Sequence, residues 1–266
     1  MRLSGDGPIG LITGGAGAIG SGIARALARD GWRVVLVDRD GEALARIAAA
    51  LGPAAVAATF TADVCDEQAI RRIVDEAAKR FGRIDGLATA AGSGAALGPR
   101  KPFWETKRDD WRLNVETHLV SVMTVCQAVL AHMAARKSGV ILNVASGAGL
   151  RGGPPQSRQK NAQVYGLAKA GVIAFTQSIA LEFAALGVRA NCIAPGRAES
   201  RHKTADDLLR MAPAEEARET GSSRMSPLGR FGKAEDFGEA AAFLMSDRAG
   251  WITGTTLDVS GGVRLH

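Results

Sequence analysis

The feature that most constrains this chain is an alternation. Seven short runs rich in β-branched residues, IGLIT (9–13), WRVVLVD (32–38), AAVAATF (54–60), DGLATAA (85–91), GVILNVAS (139–146), VRANCIAP (188–195) and TTLDV (255–259), are separated by longer stretches of helical periodicity. Strands joined through helices pair in parallel, and a parallel sheet is covered on both faces, which is why the runs are almost continuously apolar. The expected fold is α/β, a doubly wound parallel sheet of seven strands with helices on both faces. No low-complexity linker divides the 266 residues, so residues 1–266 are expected to form a single domain. The irregular, charged stretch at residues 197–226 follows the sixth strand, where loops surround a ligand crevice in such folds, and is a candidate substrate lid.

Two helical segments, near residues 105–135 and 161–186, are more apolar than a sheet-covering helix needs to be. The second has one apolar row, Val164, Ala168, Val172, Phe175, Ile179 and Phe183, and further apolar residues, Leu167, Ile173 and Leu181, on other faces. A helix apolar all round is buried all round, so a second subunit is expected on the outer side, as in a homodimer or homotetramer. Residues 117–135 carry no formal charge over nearly the ~20 residues that span a bilayer. Thr117, His118, Ser121, Thr124, Gln127 and His132 interrupt them, and Val115, Leu119, Val122, Cys126, Val129 and Met133 form a helical stripe, which reads as a core helix and not a membrane span.

Composition narrows the partners. The net charge of +6 would suit a nucleic-acid binder, but the basic residues are dispersed and form no run, so no nucleic acid is expected. Cys65, Cys126 and Cys192 have neither the count nor the spacing of a disulfide framework or zinc site, and read as small hydrophobes in a reducing compartment. His118, His132, His202 and His266 lack ligand spacing, so no metal is expected. The N-terminal MRLSGDGPIG has no apolar signal core, and a cytoplasmic location is expected.

The first strand runs into TGGAGAIG, in which Gly14, Gly15, Gly17 and Gly20 lead into a helical pattern. Glycines let a pyrophosphate approach the backbone N–H groups of a helix N-terminus, where the dipole favours an anion. Asp38 lies 18 residues past Gly20 at the end of the second strand. A carboxylate there accepts from an adenosine ribose and repels a 2′-phosphate, favouring NAD over NADP, while the neighbouring Arg39 keeps NADP open. Asp63, after the third strand, either lies beside the adenine or caps the next helix.

Tyr165, the only tyrosine, stands four residues before Lys169 in an apolar helix, so the two share a face. Alone, such a pair reads as a packed ring beside a lysine reaching for water. It gains meaning from its companions. With TGGAGAIG, Asn114 in WRLNVE, Ser146 in LNVASGAG, YGLAK and APG in this order, and PLGRFGKAEDFGEAAAFLMSD…WITGTTLDVSGG downstream, the chain resembles the classical short-chain dehydrogenases/reductases over essentially its whole length. The resemblance implies a Rossmann-like seven-stranded sheet, a catalytic set of Asn114, Ser146, Tyr165 and Lys169, and an NAD(P) cofactor. Gly14, Ala18, Ile19, Gly20, Asp38, Arg39, Asp63, Val64, Ala91 and Gly92 would contact that cofactor. So would Tyr165 and Lys169, with Pro195, Gly196, Ala198 and Ser200 at its nicotinamide end.

Three departures stand out. Ala18 replaces the usual middle glycine of the turn; TAAG at residues 89–92 replaces NNAG; and the stretch from Ser146 to Tyr165 is several residues longer than usual. The expected activity is hydride transfer between the cofactor and a secondary alcohol or ketone. Tyr165 would be the general acid/base, its pKa lowered by Lys169 and by the oxidised nicotinamide; Ser146 would hold the substrate oxygen and Asn114 a water beyond Lys169. Arg151, Arg158, Lys160, Arg197, Arg201 and Lys203 near the mouth suit an anionic substrate, or are a solvated surface balanced by Glu199, Asp206 and Asp207. The competing readings are an NADP-linked 3-oxoacyl or other ketone reductase and a non-catalytic nucleotide binder.

Overall fold

The computed structural model describes residues 7–92, 103–151, 162–199 and 226–263. All seven expected strands are present: β1 (Ile9–Thr13), β2 (Arg33–Asp38), β3 (Val56–Thr61), β4 (Gly86–Thr89), β5 (Gly139–Val144), β6 (Val188–Pro195) and β7 (Thr256–Val259). They form one parallel sheet in the order β3-β2-β1-β4-β5-β6-β7. The order reverses between β1 and β4, so their carboxyl ends open onto the crevice where open α/β sheets take their ligands.

Alternation along the strands divides the core. Leu11, Val35, Val37 and Ile141 face one side and pack with α3 (Glu67–Phe81), α5 (Ser121–Arg136) and α7 (Ala162–Phe183) through Ile70, Val74, Val129, Met133, Val172 and Ile179. Ile12, Val34, Leu36 and Leu142 face the other, against α1 (Ala18–Arg29), α2 (Gly41–Leu51) and, near the C-terminus, the helix Ala234–Met245, through Ile23, Leu27, Leu44, Phe237 and Leu244. Local signals set the helix ends. Asp40 accepts from Ala43 N at 2.9 Å at the start of α2, Asp66 accepts from Ala69 N at 2.9 Å at the start of α3, and Gly82 closes α3 in the left-handed region at φ 68°.

The helix Arg108–Arg136 is not regular throughout. It begins as α4 (Arg108–Val115), widens into a π turn over Glu116–Val120, and resumes as α5. The extra residue shifts the helical phase, so the apolar stripe read from the sequence holds from Val122 onward, while Val115 and Leu119 are only half-buried. By length and composition this helix and Gln163–Leu186 could each cross a membrane, but half of the first's most apolar stretch and 44% of the second's are buried inside the protein. Their outer sides carry exposed Leu113, Met123, Leu167 and Leu181, the last at 83%. The α6 turn (Gly147–Leu150) follows β5, and the Ala234–Met245 helix is α8.

Helices α1 and α8 meet backbone to backbone. A Cβ on Gly238 would lie 2.4 Å from the Gly22 carbonyl oxygen, and one on Gly22 would lie 2.0 Å from the Ala234 oxygen. Neither helix can yield without moving off the sheet. Replacing Gly238 with Val is therefore expected to lower unfolding stability by about 1–3 kcal/mol, an overpacking cost that chemical denaturation would measure.

Candidate active site

The glycine turn is built for close approach. Gly14 has φ 67°, and a Cβ there would lie 2.6 Å from Ala90 O and Ala91 N; one on Gly20 would lie 2.1 Å from Gly14 O. Gly17, extended at φ −72°, ends the turn with no side-chain cap, which leaves the first N–H groups of α1 unscreened. Ala18, the departure in this turn, is the first residue of α1 and half-exposed, so its methyl meets none of the backbone that excludes one at Gly14 or Gly20. Ile19 is also half-buried and leans on the core of that face.

At the end of β2, Asp38 is drawn to the same turn. Its carboxylate accepts from Ala16 N at 3.0 Å and from Asp40 N at 3.1 Å, fixing it at the lip of the cradle, with Arg39 exposed beside it. Asp63 is exposed and accepts from Cys65 N at 2.9 Å. The helix cap read as one option for Asp63 belongs to Asp66, because Asp63 sits one turn too early. Val64 packs against the core edge beside it. The donors, the room and the acid fit a dinucleotide: phosphate at Gly14–Gly20, ribose at Asp38, adenine beside Asp63 and Val64.

The TAAG stretch keeps its anchorage by other means. Thr89 donates to Asn143 Oδ1 at 2.7 Å, and Asn143 Nδ2 donates to Thr176 Oγ1 at 2.9 Å, all buried. A chain of side-chain bonds thus runs from β4 through β5 to α7 in the stretch where TAAG stands in place of NNAG. Ala91 and Gly92 follow at the crevice wall, Gly92 exposed. Across it Pro195 ends β6, Gly196 N donates to Val259 O at 3.0 Å, and Ala198 bridges to Gly232. Ser200 lies outside the described residues, as do Arg158, Lys160, Arg201 and Lys203, residues 200–225 of the candidate lid and residues 152–161 of the long stretch.

Ser146, Tyr165 and Lys169 come together at the carboxyl end of β5. Ser146 caps α6, accepting from Ala148 N at 3.2 Å, so the backbone role considered for it is real, and its hydroxyl lies near enough to Tyr165 to favour the phenolate. The lysine head does not reach water. Lys169 is 5% exposed and its ammonium donates to Val144 O at 2.9 Å. Burial drives its pKa down to about 8, with Cys192 below it opposing. Burial also raises the Tyr165 pKa, and the Ser146 hydrogen bond works against that rise. The expected lowering is thus reversed in the protein alone, because desolvation of the phenolate outweighs the neighbouring hydroxyl and Lys169 spends its proton on a carbonyl.

Asn114 is fully buried at the end of α4, its amide donating to Asp110 O at 3.2 Å, the local backbone bond considered for a helix asparagine. One residue at the site went unread. His118, four positions on and inside the π turn, is 3% exposed and meets the Tyr165 ring edge to face at 5.0 Å. The i, i+4 spacing from Asn114 was the available signal. Of the three cysteines read as buried hydrophobes, Cys126 and Cys192 are buried, with burial pushing their thiols up to about 12 and about 11, whereas Cys65 is only part-buried. Among the described residues no cluster of three or more His, Cys, Asp or Glu could hold a metal.

Comparison with known proteins agrees with this geometry. The family described as enoyl-(acyl carrier protein) reductase matches residues 14–264. The cis-4-hydroxycyclohexanecarboxylate dehydrogenase of Sinomonas cyclohexanicum is 37% identical over 255 residues, covering 96% of this chain and 95% of that protein. The 3-oxoacyl-(acyl-carrier-protein) reductase FabG of Thermotoga maritima is 34% identical over 265 residues, covering 99% of both. An actinorhodin polyketide ketoreductase crystallised with NADPH superposes with a TM-score of 0.84 at 31% identity, covering 99% of each chain. With a phosphate cradle, a sheet order and a serine–tyrosine–lysine cluster that all coincide with this pattern, the chain belongs to the short-chain dehydrogenase/reductase family, whose members bind a nicotinamide cofactor.

Proposed function

We propose that the protein is an NAD-linked dehydrogenase of a secondary alcohol, with Tyr165 as general acid/base. The observation that carries this reading is the cluster in which the Ser146 hydroxyl stands beside the Tyr165 phenol, one helical turn from the buried Lys169. When bound, the nicotinamide takes or gives the hydride and, in its oxidised form, adds a positive charge beside the phenol. Ser146 holds the substrate oxygen against Tyr165 Oη, a positioning and electrostatic role. In oxidation Tyr165 takes the hydroxyl proton while the carbon gives up its hydride; in reduction it returns a proton to the new alkoxide. Lys169 and Asn114 line the route by which that proton reaches solvent.

Asp38 supports NAD, because its fixed carboxylate matches a ribose diol and repels a phosphate. Arg39 supports the second reading, an NADP-linked ketone reductase such as the FabG relative's name describes. A carboxylate on the substrate is supported by exposed Arg151 and Arg197, which follow β5 and β6 at the crevice end, and by the ring carboxylate in the Sinomonas relative's name. We infer further that residues 1–266 act as one catalytic domain with 197–226 as its substrate lid, in a cytoplasmic homotetramer or homodimer. The exposed Leu113, Met123, Leu167 and Leu181 support that assembly.

The test is a panel of cyclic secondary alcohols, each with a ring carboxylate or the matching amide, followed by nicotinamide absorbance. Turnover with NAD that prefers the carboxylates is expected, and Tyr165→Phe should reduce kcat by about 10²–10⁴-fold without loss of folding. Asp38→Ser should lower kcat/KM for NAD by about tenfold and raise it for NADP, and unchanged ratios would remove Asp38 as the discriminator. Lys169 gives a pH-dependent signature. Below pH 8 the folded state bears a buried ammonium, and between about 8 and the ordinary 10.5 it sheds that proton before the unfolded chain does, so stability rises with pH there. Lys169→Met should be more stable than wild type at pH 7 by about 1–3 kcal/mol, with the gap closing as pH approaches 10.5 in denaturant titrations.

A further inference from the structure

His118 occupies a place that the acid/base scheme leaves without a task. The π turn carries it into the core beside Thr117, and both are buried although they are adjacent in a helix. On one side its ring meets Tyr165 at 5.0 Å between centroids and an interplanar angle of 86°. On the other, its Cε1 and Nδ1 lie 3.5 Å from where a Cβ would stand on Gly92, the end of the cofactor-side turn. An edge-to-face pair is directional, because the positive edge of one ring seeks the negative face of the other, so it fixes angle as well as distance. Ser146 stands beside the phenol's oxygen and Lys169 anchors the same helix to Val144 O; neither restrains rotation of the ring about its own axis.

We propose that His118 is a positioning residue: its ring, set between the Gly92 turn and Tyr165, holds the phenol at the angle at which Ser146 meets it and keeps water off that ring face. The inference rests on Tyr165 being the acid/base. Among ionisable groups, Lys169 follows Tyr165 by one turn on α7, and Cys192 on β6 lies near Lys169. Misplacement of a reacting group by a fraction of its contact distance is enough to cost a large part of its rate contribution, so the effect belongs in kcat and not in cofactor affinity.

Because Tyr165 is the only tyrosine, the phenolate band in the near ultraviolet titrates this one side chain without any turnover. His118→Phe keeps a ring in place and is expected to keep kcat within about twofold and the titration midpoint where it stands in wild type. His118→Ala is expected to lower kcat by about tenfold or more while the dinucleotide Kd stays within about twofold, and to move the midpoint down as water reaches the phenol. A wild-type kcat and midpoint in the alanine variant would overturn the proposal. So would a phenylalanine variant as impaired as the alanine one, since the nitrogens and not the ring contact would then matter. If the alanine variant does not fold, His118→Leu replaces it, and equal kcat for leucine and phenylalanine overturns the proposal. Tyr165→Phe is run alongside: turnover that survives it overturns the acid/base reading itself, whereas turnover lost there with His118→Ala unaffected overturns only the role of His118.

Discussion

A buried ammonium governs the arrangement of the crevice. Lys169 has one oxygen, Val144 O, to share its charge with inside a wall of apolar side chains, and the cost appears as a pKa drawn down to about 8. Such a group stays where it is only if its helix cannot move. The bonds from Thr89 through Asn143 to Thr176 fasten α7 to the central strands three turns below Tyr165, and Val172 and Ile179 seal the same face. The polar chain therefore connects the end of β4 at the crevice to the helix that carries Tyr165 and Lys169, and the two share one rigid frame.

The same economy shapes the phosphate side. Backbone N–H groups can serve an anion only where side chains are absent, and Gly14 and Gly20 are excluded from bearing a Cβ by backbone atoms closer than 3 Å. Asp38 joins this frame by accepting from Ala16 N in the glycine turn with one oxygen and from Asp40 N with the other. The Asp38 carboxylate and the shape of the turn are thus one structural unit, and Ala18, half-exposed at the first residue of α1, stands outside it.

How much of this could be read beforehand follows from the range of each interaction. The seven strands were legible because burial on both faces of a parallel sheet writes a continuous apolar run into each, and the Ser146, Tyr165 and Lys169 grouping was legible through the order of motifs. The π turn was not, since an extra residue in a helical ring has no composition of its own, and His118 was hidden with it behind an unremarkable polar position in an apolar stripe. The contact of Gly22 with Gly238 joins opposite ends of the chain and leaves only two ordinary helix glycines in the sequence. The rise that burial gives the Tyr165 pKa in the protein alone was not legible, since one helical turn describes proximity to a charge, while burial is a property of the whole fold.

The bridge between Ala198 and Gly232 ties the end of β6 to the approach to α8, with Glu199 N donating to Gly232 O and Gly232 N to Arg197 O, each at 2.9 Å. The frame is thereby closed between these two points, and Arg230 paired with Asp236 braces the second of them against α8. The entropy of joining those ends grows only slowly with the number of residues between them. Chain length and composition between those ends are thus free to diverge at little expense to the sheet, so relatives that keep this frame can differ most in that interval.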